Sequence, residues 1–406
     1  MSEVVSIPQL RFPEFSGEWR VDKFVDLCKF QQGVQVDVEL QSTEPKNNFL
    51  RFLRIENYTQ KSNDFRYIPK ELSSNKSITE NEIAIVRYGA TAGYIGRGLK
   101  GVLANNLFKL VLNKDTLDTD YLFHLLRSYK TFCFFQSEMS GGAMPALSFG
   151  IVGALKLPYS SISEQQKIAA FLTAVDNKIE QLSKKQELLG EYKKGAMQQI
   201  FSQAIRFKAN DDSEFPDWEE KKLGDVCKLQ GGYAFKSAEF QKHGIPIIRI
   251  SNISNNNDFI DNRNLVYYNE IKNSDKFIIK NGDLIVAMSG ATTGKSSIYN
   301  LIEDAYLNQR VGLFKANNSL LDYGFLIQIV FSYIFATQLD SVLVAGAQPN
   351  VSSKDIEGFE ISLPSKIEQN KIANFLSSID SKIEQVGKQL DESKQFKKAL
   401  LQQMFV

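Results

Sequence analysis

An internal repeat displaced by 204 residues, about half the chain, constrains the fold of this sequence more than any other feature. Residues 164–182 return as residues 368–386 with 12 of 19 positions identical, and residues 193–201 return as 397–405. A sequence that recurs at a fixed period indicates that one structural unit is built more than once. We therefore expect two similar globular units, each followed by a similar segment.

The two globular units share short motifs although most of their residues differ. Arg54-x-x-Asn57 recurs as Arg249-x-x-Asn252, and the loop Gly89-Ala90-Thr91-Ala92-Gly93 recurs as Gly290-Ala291-Thr292-Thr293-Gly294. Apolar runs at 82–86 and 283–286 precede these loops and have strand composition, and so do residues 47–55 and 245–250. Residues 121–136 and 323–339 are apolar at helical spacing and predict core helices. We therefore predict that the units are mixed α/β (α+β) domains.

The repeated segments predict two long helices that pack on each other. Apolar residues alternate at spacings of three and four, as in a coiled coil. Each segment starts with Ser-x-x-Glu, which predicts a capping box, and can extend over about 40 residues, or roughly 60 Å. We expect an antiparallel coiled coil with a pseudo-twofold axis, and with one globular unit at each end. Its predicted seam consists of Ile168, Leu172, Val175, Ile179, Leu182 and Leu189 in the first helix, and of Ile372, Leu376, Ile379, Ile383, Val386 and Leu390 in the second.

These segments divide the chain into four parts. We place a first globular domain at residues 1–160 and a central helix at 161–206. A second domain follows at 207–364, and the C-terminal helix at 365–406.

Several kinds of chemistry lack the residues they need. The chain has two histidines, and no cysteine pair at metal-ligand spacing, so we expect no metal site and no catalytic triad. The segment from Ser289 to Ser296 resembles a phosphate-binding P-loop, but three residues separate its glycines where four are required. The matching loop of the first half has Tyr94 where the second has Lys295. We therefore expect a tight glycine turn and a chain that is not itself an enzyme.

Two variable units separated by near-identical helices resemble the specificity subunit of type I restriction-modification enzymes. The motifs that carry this resemblance are Glu-Gln-x-Lys-Ile-Ala-x-Phe-Leu with a following Asp-x-Lys-Ile-Glu, and the Gly-Ala-Thr-x-Gly loops. The resemblance implies that each unit is a target recognition domain reading one half of a bipartite, asymmetric double-stranded DNA site. It implies that the helix pair sets the spacer and docks two methyltransferase subunits, and that restriction motor-nuclease subunits join them. S-adenosylmethionine, and ATP with Mg²⁺, would then be used by those partners, and this chain would hold no cofactor.

DNA geometry and chain charge fit this expectation. Readers on one face of a duplex are spaced by about one turn, roughly 34 Å, which leaves about six or seven unread base pairs between half-sites. The net charge of +1 requires that much of the phosphate affinity come from local surfaces or from partners.

The resemblance favours the repeated loops and their polar neighbours as DNA-contacting residues. Arg54 with Asn57, and Arg249 with Asn252, recur in both halves, which indicates phosphate contact or support of the fold and not base readout. Gln348 and Asn350 differ from Met144 and Ala146 at matched positions of a repeated loop. The other candidates are Arg87, Tyr88, Thr91, Lys100, Asn105 and Asn106 in the first unit, and Ser289, Thr292, Thr293, Lys295, Asn308, Gln309 and Arg310 in the second.

Two alternatives remain open at this stage. The chain can be an adaptor that holds two protein-binding modules on a coiled coil, without DNA, or it can be the specificity subunit of a class whose partner fuses nuclease and methyltransferase. A third alternative, a P-loop or nuclease-like enzyme that uses Lys295, is disfavoured because the loop spacing is wrong and the matching loop lacks the lysine. No apolar run is long enough for a bilayer, and residues 1–11 do not resemble a signal peptide. We therefore expect a cytoplasmic protein without a membrane partner.

Overall fold

The computed structural model describes residues 3–5, 7–73, 76–139, 145–253, 258–271, 275–345 and 350–405. The chain forms two compact units. Unit 1 consists of Met1–Lys184 and Gly387–Val406, and unit 2 of Lys185–Val386. Each of the two long helices therefore contributes one part to each unit.

The described chain contains short strands and short helices in each unit, and two long helices. The strands are β1 Glu3–Val5, β2 Trp19–Lys23, β3 Cys28–Gln32, β4 Phe49–Leu53, β5 Arg66–Pro69, β6 Ser77–Ile78, β7 Ala84–Val86, β8 Ile95–Gly96, β9 Gly101–Leu103, β10 Leu107–Leu112, β11 Lys156–Tyr159, β12 Glu219–Lys222, β13 Cys227–Gly231, β14 Ile245–Ile248, β15 Val266–Tyr268, β16 Ile278–Ile279, β17 Leu284–Ala287, β18 Ser296–Ile298, β19 Ala305–Leu307, β20 Val311–Ala316 and β21 Glu360–Leu363. The α-helices are α1 Phe24–Leu27, α2 Ile55–Thr59, α3 Thr119–Leu126, α4 Tyr129–Met139, α5 Phe149–Ala154, α6 Ile162–Phe201, α7 Leu223–Val226, α8 Tyr323–Val330, α9 Tyr333–Ala345, α10 Ser353–Glu357 and α11 Lys366–Gln403.

The sheets of unit 1 have counterparts in unit 2. In unit 1 the strand orders are β1-β2-β11, β3-β10-β7-β8 and β5-β4-β9-β6; in unit 2 they are β12-β21, β13-β20-β17-β18 and β15-β14-β19-β16. One pair in each unit is parallel, β4 with β9 and β14 with β19, and the other pairs are antiparallel. Apart from β1, which has no counterpart among the described strands of unit 2, the same topology therefore forms twice from different side chains.

Each unit closes its core with the two long helices. In unit 1, Ile168 and Leu172 of α6 share one buried cluster with Trp19, Leu400 and Phe405. In unit 2, the corresponding cluster combines the end of α6 with the start of α11, and its members include Met197, Ile200, Phe201, Ile372 and Leu376. Burying a large apolar side chain stabilises a fold by roughly 1.5–3 kcal/mol, so these helix parts belong to the domain cores.

The two helices run antiparallel within each unit. In unit 1, Asp176 of α6 forms an ion pair with Lys397 of α11. Nearer the start of α6, Glu164 binds Arg11, and the neighbouring Leu10 N–H donates to Gln403 O at the end of α11. Positions later in α6 therefore lie beside positions earlier in α11. In unit 2, Lys193 and Asp380 form the equivalent ion pair at 2.5 Å. All twelve predicted seam positions are buried or half-buried.

The predicted fold class is confirmed, with three local differences. The core helix expected over 121–136 is two helices, α3 and α4, and the one over 323–339 is likewise α8 and α9. The predicted capping boxes form only in part: Ser161 and Ser365 accept a bond from the third residue along, but the Glu164 and Glu368 side chains bind elsewhere. The domain boundaries given above remain predictions, although α6 and α11 fall within the two predicted helical segments.

Within the described ranges, no single helix is both long and apolar enough to cross a lipid bilayer. Only α8 and most of α9, taken together across a 55° bend, meet the criteria of length and composition.

Candidate nucleic-acid interface

The two Gly-Ala-Thr-x-Gly loops form the same tight turn in both units. The turn joins β7 to β8 in unit 1, where the Gly93 N–H donates to Val86 O at 2.8 Å, and it joins β17 to β18 in unit 2, where the Gly294 N–H donates to Ala287 O at 2.7 Å. The first and last glycines of both loops have φ between +81° and +91°, a conformation that side chains rarely adopt. Each loop connects two antiparallel strands, so it does not open a helix as a P-loop does. The expected glycine turn is therefore present.

Two further loops attach to each glycine turn and complete an edge. In unit 1 the Leu147 N–H donates to Arg87 O at 2.8 Å, and the Arg87 N–H donates to Asn106 O at 2.8 Å. In unit 2 the Val351 N–H donates to Met288 O at 3.0 Å, and the Met288 N–H donates to Arg310 O at 2.9 Å. We call each assembly the three-loop edge, formed by residues 87–94, 104–107 and 145–148 in unit 1 and by residues 288–295, 308–311 and 350–352 in unit 2.

The three-loop edge of unit 1 brings together most of the predicted DNA-contacting residues of that unit. Tyr88 and Thr91 are exposed. The Arg87 guanidinium stacks 4.5 Å from the Phe149 ring centroid and 4.9 Å from that of Tyr88. The Arg87 Nε and Asn106 Oδ1 atoms are buried without a protein partner. The edge therefore presents an aromatic ring and a hydroxyl group beside polar groups that still have hydrogen-bonding capacity.

Of the remaining predicted loop residues of unit 1, Asn105 lies on the edge and Lys100 does not. Lys100 is exposed just before β9, at the end of that strand opposite Asn105. The structure therefore does not place Lys100 on the edge. Asn105 does lie there, and its Nδ2 donates to Gln35 Oε1 at 3.2 Å.

The three-loop edge of unit 2 carries a different set of exposed side chains. Lys295, Gln309, Arg310 and Asn350 are exposed there. Asn350 pairs with Ser289 in an isolated antiparallel bridge, and the Ser289 hydroxyl is buried without a protein partner.

Several predicted residues of unit 2 support the loop itself. Thr292 Oγ1 donates to Ile250 O at 3.0 Å, and Thr293 Oγ1 donates to Gly290 O at 2.6 Å. Asn308 Oδ1 accepts from the Arg310 N–H at 3.4 Å. Thr293 and Asn308 are therefore engaged within the edge, and Thr292 binds the edge to the segment that contains Ile250. Gln348 lies outside the described residues.

The repeated Arg-x-x-Asn motif supports the fold. Asn57 is 4% exposed and Asn252 is 0% exposed. Their Oδ1 atoms accept from the Arg54 and Arg249 N–H groups at 2.8 and 3.0 Å, and their Nδ2 groups donate to backbone carbonyls. Arg54 forms an ion pair with Glu56, and Arg249 donates to Asn264 O. Of the two roles left open by the sequence, the geometry supports the structural one, and we remove Asn57 and Asn252 from the DNA-contacting set because a buried, fully bonded amide cannot reach a ligand.

A fourth loop, which the sequence analysis did not select, packs against each edge. Gln32 Nε2 donates to Asn105 O at 2.8 Å, and in unit 2 the Gln309 N–H donates to Tyr233 O at 2.9 Å. A Cβ atom on Gly33 would lie 2.2 Å from Ala104 O, and one on Gly232 would lie 2.1 Å from Leu307 O. Only glycine permits this approach, and the signal was the shared Cys-Lys-x-Gln-x-Gly at 28–33 and 227–232.

A buried ion pair attaches each unit to the start of a long helix. Arg11 Nε donates to Glu164 Oε1 at 2.6 Å, and Trp19 Nε1 donates to the same oxygen at 3.3 Å. In unit 2, Arg206 and Trp218 bind Glu368 in the same way. The hydrogen bond to Glu164 raises the pKa of Arg11, and the bond to Glu368 raises the pKa of Arg206. This explains why the glutamate of the repeated motif recurs.

The glutamine of the same motif connects the start of each long helix to the start of a core helix, α3 in unit 1 and α8 in unit 2. Gln165 Oε1 accepts from the Asp118 N–H at 2.9 Å, and its amide donates to Thr116 O and Ser160 O. Gln369 makes the corresponding bonds to Asp322, Leu320 and Pro364. Glu-Gln is thus a two-residue anchor, and the following apolar residues enter the core.

Charged groups pair across the helix seam beside a buried histidine. Asp176 binds Lys397, and His124 Nε2 lies 3.0 Å from Thr173 Oγ1, while His124 Nδ1 lies 3.8 Å from Asp176. Burial lowers the pKa of His124 to about 4, and Lys397 contributes in the same direction, whereas Asp176 opposes the shift. In unit 2 the matching residue is Gln328, which donates to Asp380 at 3.2 Å.

No group of three or more His, Cys, Asp or Glu side chains in the described parts of the chain is arranged to hold a metal ion. The chemistry available at the edges is hydrogen bonding, stacking and charge pairing, which are the interactions that read base edges and phosphates.

A comparison with known protein families shows that two segments of this chain match the same family. A family model described as the type I restriction modification DNA specificity domain matches residues 17–189 and again residues 216–392. The specificity subunit of the type I restriction enzyme MjaVIII from Methanocaldococcus jannaschii is 29% identical, over 97% of this chain and 92% of the relative. The specificity subunit of the type I restriction enzyme EcoAI from Escherichia coli is 27% identical over 43% of this chain and 30% of the relative.

Solved structures share the fold. The S subunit of a type I restriction-modification system from M. genitalium superposes with a TM-score of 0.67 at 17% identity, covering 99% of both chains. A chain from a structural study of complex assembly in the type I R-M system gives a TM-score of 0.51 at 17% identity, covering 95% of this chain and 97% of the other.

Proposed function

The chain belongs to the type I restriction modification DNA specificity family, with two copies of the family domain, and from this premise we propose that it is the DNA sequence-specificity subunit of a type I restriction-modification complex. In this proposal each unit reads one half of a bipartite double-stranded DNA site through its three-loop edge. The chain itself carries out no bond chemistry.

One observation supports two-part, asymmetric reading above all. The same backbone hydrogen bonds build the three-loop edge in both units, yet the exposed side chains differ. Unit 1 presents Tyr88 and Thr91, whereas unit 2 presents Lys295, Gln309 and Arg310. A constant scaffold with variable side chains is what readout of two different half-sites requires, because arginine and glutamine pair with different base edges than a hydroxyl or an aromatic group.

The partners and cofactors follow from the same proposal. Two methyltransferase subunits would dock on the helix pair and use S-adenosylmethionine, and restriction motor-nuclease subunits would use ATP with Mg²⁺. The helix pair would set the spacing between half-sites, with about six unread base pairs when the readers are about one duplex turn apart. We propose that the complex acts in the cytoplasm, where it meets chromosomal DNA.

Co-expression with the methyltransferase partner tests this function directly. The chain and its partner are produced in a host that lacks related methylation, and N6-methyladenine is mapped across the genome by long-read sequencing. We expect one split, asymmetric motif that disappears when this chain is omitted. No new methylation, from a complex that assembles and whose partner is catalytically competent, would contradict the proposal and favour an adaptor without DNA.

A further inference from the structure

Unit 1 contains a positively charged pocket that none of the roles described so far uses. Its cavity of about 260 Å³ lies between the turn after α2, strand β8 and helix α3. Lys61, Arg97 and Arg127 line it together with the rings of Tyr94 and Phe123, and no carboxylate is among the described residues that line it.

Two of these cations are held together on one aromatic ring. The guanidinium carbons of Arg97 and Arg127 lie 4.1 and 4.9 Å from the Phe123 ring centroid. Stacking on a ring orients a guanidinium group but does not neutralise its charge. Both guanidinium groups therefore keep their positive charge beside the same ring, where a further anion would be attracted to them.

The carboxylates behind the pocket compensate these charges only in part. Asp120 pairs with Arg97 and is more than half exposed, while Asp176 lies 3.9 Å from Arg127 and also binds Lys397. Two carboxylates therefore serve Arg97, Arg127 and Lys397. Lys61 also lines the cavity and adds a further positive charge, so these groups together carry a net positive charge.

The fold does not require these cations. Strand pairing and helix position match Arg97 with Ile298, Phe123 with Ile327 and Arg127 with Phe331 in unit 2. There Ile298, Ile327 and Phe331 are apolar and pack against the core of unit 2. The same backbone is thus built with three apolar residues in unit 2 and with two arginines around one aromatic ring in unit 1, so folding does not explain the two arginines.

We propose that this pocket binds one phosphate group and that, in the assembled complex, the group belongs to the DNA backbone. A guanidinium fork binds two phosphate oxygens at once, and lysine adds a point charge. Tyr94 is shared: it belongs to the three-loop edge and it lines the pocket, so a duplex on the edge passes close to the cavity. This inference rests on the proposed function and adds a contact that positions unit 1 without reading sequence.

The test removes the charges and measures the salt dependence of DNA binding. Lys61→Gln, Arg97→Gln and Arg127→Gln are made singly and together in the full chain, assembled with the methyltransferase subunits. Binding constants are measured against salt for a duplex with the methylated motif and for an unrelated duplex. We expect equal fold-losses on both duplexes, and a log–log salt slope that falls by about 0.9 for each phosphate contact removed. The methylation motif should stay unchanged.

Lys114→Gln is the matched control, because Lys114 is exposed in the same unit just after β10, at the end of that strand opposite Asn106. It should leave the slope near that of the wild type. A second design, Arg97→Ile with Arg127→Phe, installs the residues of unit 2 and keeps the packing if glutamine proves disruptive. Circular dichroism and assembly with the partner report the fold of every variant.

Three results would overturn the inference or redirect it. An unchanged slope and affinity in the folded triple variant overturn the DNA contact, and a loss confined to the motif duplex replaces it with base readout. Inorganic phosphate titrated into the DNA-free chain distinguishes the sources: binding that the triple variant abolishes, with DNA affinity unchanged, assigns the pocket to free phosphate. Absence of any methylation motif from the wild-type complex is failure of the proposed function, whereas an intact motif with an unchanged slope is failure of the pocket alone.

Discussion

In the proposed function, single residues on the two edges decide what each unit recognises. Arg310 is exposed on the edge of unit 2, and its backbone carbonyl holds the glycine turn, so the side chain projects from a fixed position. The matched position in unit 1 belongs to a turn that carries Asn105 and Asn106 instead. The loop is therefore the same in both units while the side chains at these positions differ, which is the basis of the sequence readout that we propose.

Replacing Arg310 with alanine should weaken binding to one half-site only. A bidentate contact to a base is worth about 1–3 kcal/mol of discrimination, so relaxed preference is expected at one base pair of the half-site read by unit 2. The measurement is competitive binding of the assembled complex to a set of duplexes with single base changes. Lys315→Ala is the control, because Lys315 is exposed at the other end of β20. Equal losses at both half-sites would contradict base readout by Arg310.

His124 should make the stability of unit 1 depend on pH. Its pKa of about 4 in the folded chain lies below the ordinary value of 6.5 because the ring is buried. The unfolded chain therefore takes up a proton first as the pH falls, so the free energy of unfolding is at its full value above pH 6.5 and decreases between pH 6.5 and 4. The total loss is about 3 kcal/mol, at 1.36 kcal/mol for each unit of pKa shift.

The variant His124→Gln copies Gln328 of unit 2 and should flatten this profile. Denaturant unfolding is followed at pH 7 and pH 5 through the fluorescence of Trp19, in a chain that carries Trp218→Phe. His243→Gln is the control, since His243 is exposed. A steep decrease in stability that persists in His124→Gln would assign the pH dependence to other groups.

At the scale of elements, the Glu-Gln anchor explains why the helix starts repeat so closely. The sequence predicted that Glu164 and Glu368 cap their own helices, and this was wrong for their side chains. Each carboxylate instead binds an arginine and a tryptophan that lie about 145–162 residues earlier in the chain. No local pattern shows this, because Arg11 and Glu164 are 153 residues apart in the chain.

Glu164→Ala should destabilise unit 1 by about 3–5 kcal/mol. The change leaves the Arg11 guanidinium, only 10% exposed, without its partner, and removing one member of a buried pair has a cost of this order. Denaturant unfolding monitored by Trp19 fluorescence gives the value. The neighbouring surface pair of Lys167 with Glu14 is the control, because both side chains are about half exposed and Lys167→Ala should change stability by about 1 kcal/mol or less. Similar effects of the two variants would contradict the anchor.

The seam also contains a feature that the heptads left unexplained. Lys193 and Lys397 occupy seam positions where an apolar residue is expected. Within each unit the structure pairs the lysine with an aspartate of the other helix, Lys193 with Asp380 and Lys397 with Asp176. Such a pair favours one register, because sliding either helix separates the charges.

At the scale of the whole molecule, unit 1 is assembled from both ends of the chain. The end of α11 supplies Leu400 to the core that holds Trp19, and Met404 and Phe405, which follow the helix, join the same core. The Leu10 N–H donates to Gln403 O at 3.0 Å. Unit 2 is continuous in sequence. The two units therefore have the same architecture but differ in how they depend on the chain termini.

Truncation after Val386 should unfold unit 1 and leave unit 2 folded. The deletion removes three buried side chains from the unit 1 core, and large buried residues cost about 2–5 kcal/mol each when truncated. Each unit contains one of the two tryptophans, so Trp218→Phe and Trp19→Phe chains report unit 1 and unit 2 separately. Loss of the Trp19 transition with a retained Trp218 transition is the expected result. Loss of both transitions would show that unit 2 also needs the C-terminal helix end.

The sequence alone determined the repeat, the α/β units, the two helices with their apolar seam, and the family, because these depend on identity and periodicity along the chain. It also predicted the glycine turns, since their strain is local. Only the tertiary structure decided which recurring polar residues are free to bind. Asn57 and Asn252 recur because they are buried, Glu164 recurs because it anchors a distant arginine, and the pocket of Lys61, Arg97 and Arg127 exists only once the chain brings together residues far apart in sequence. Burial and partners arise from contacts between distant segments, and no local pattern contains them.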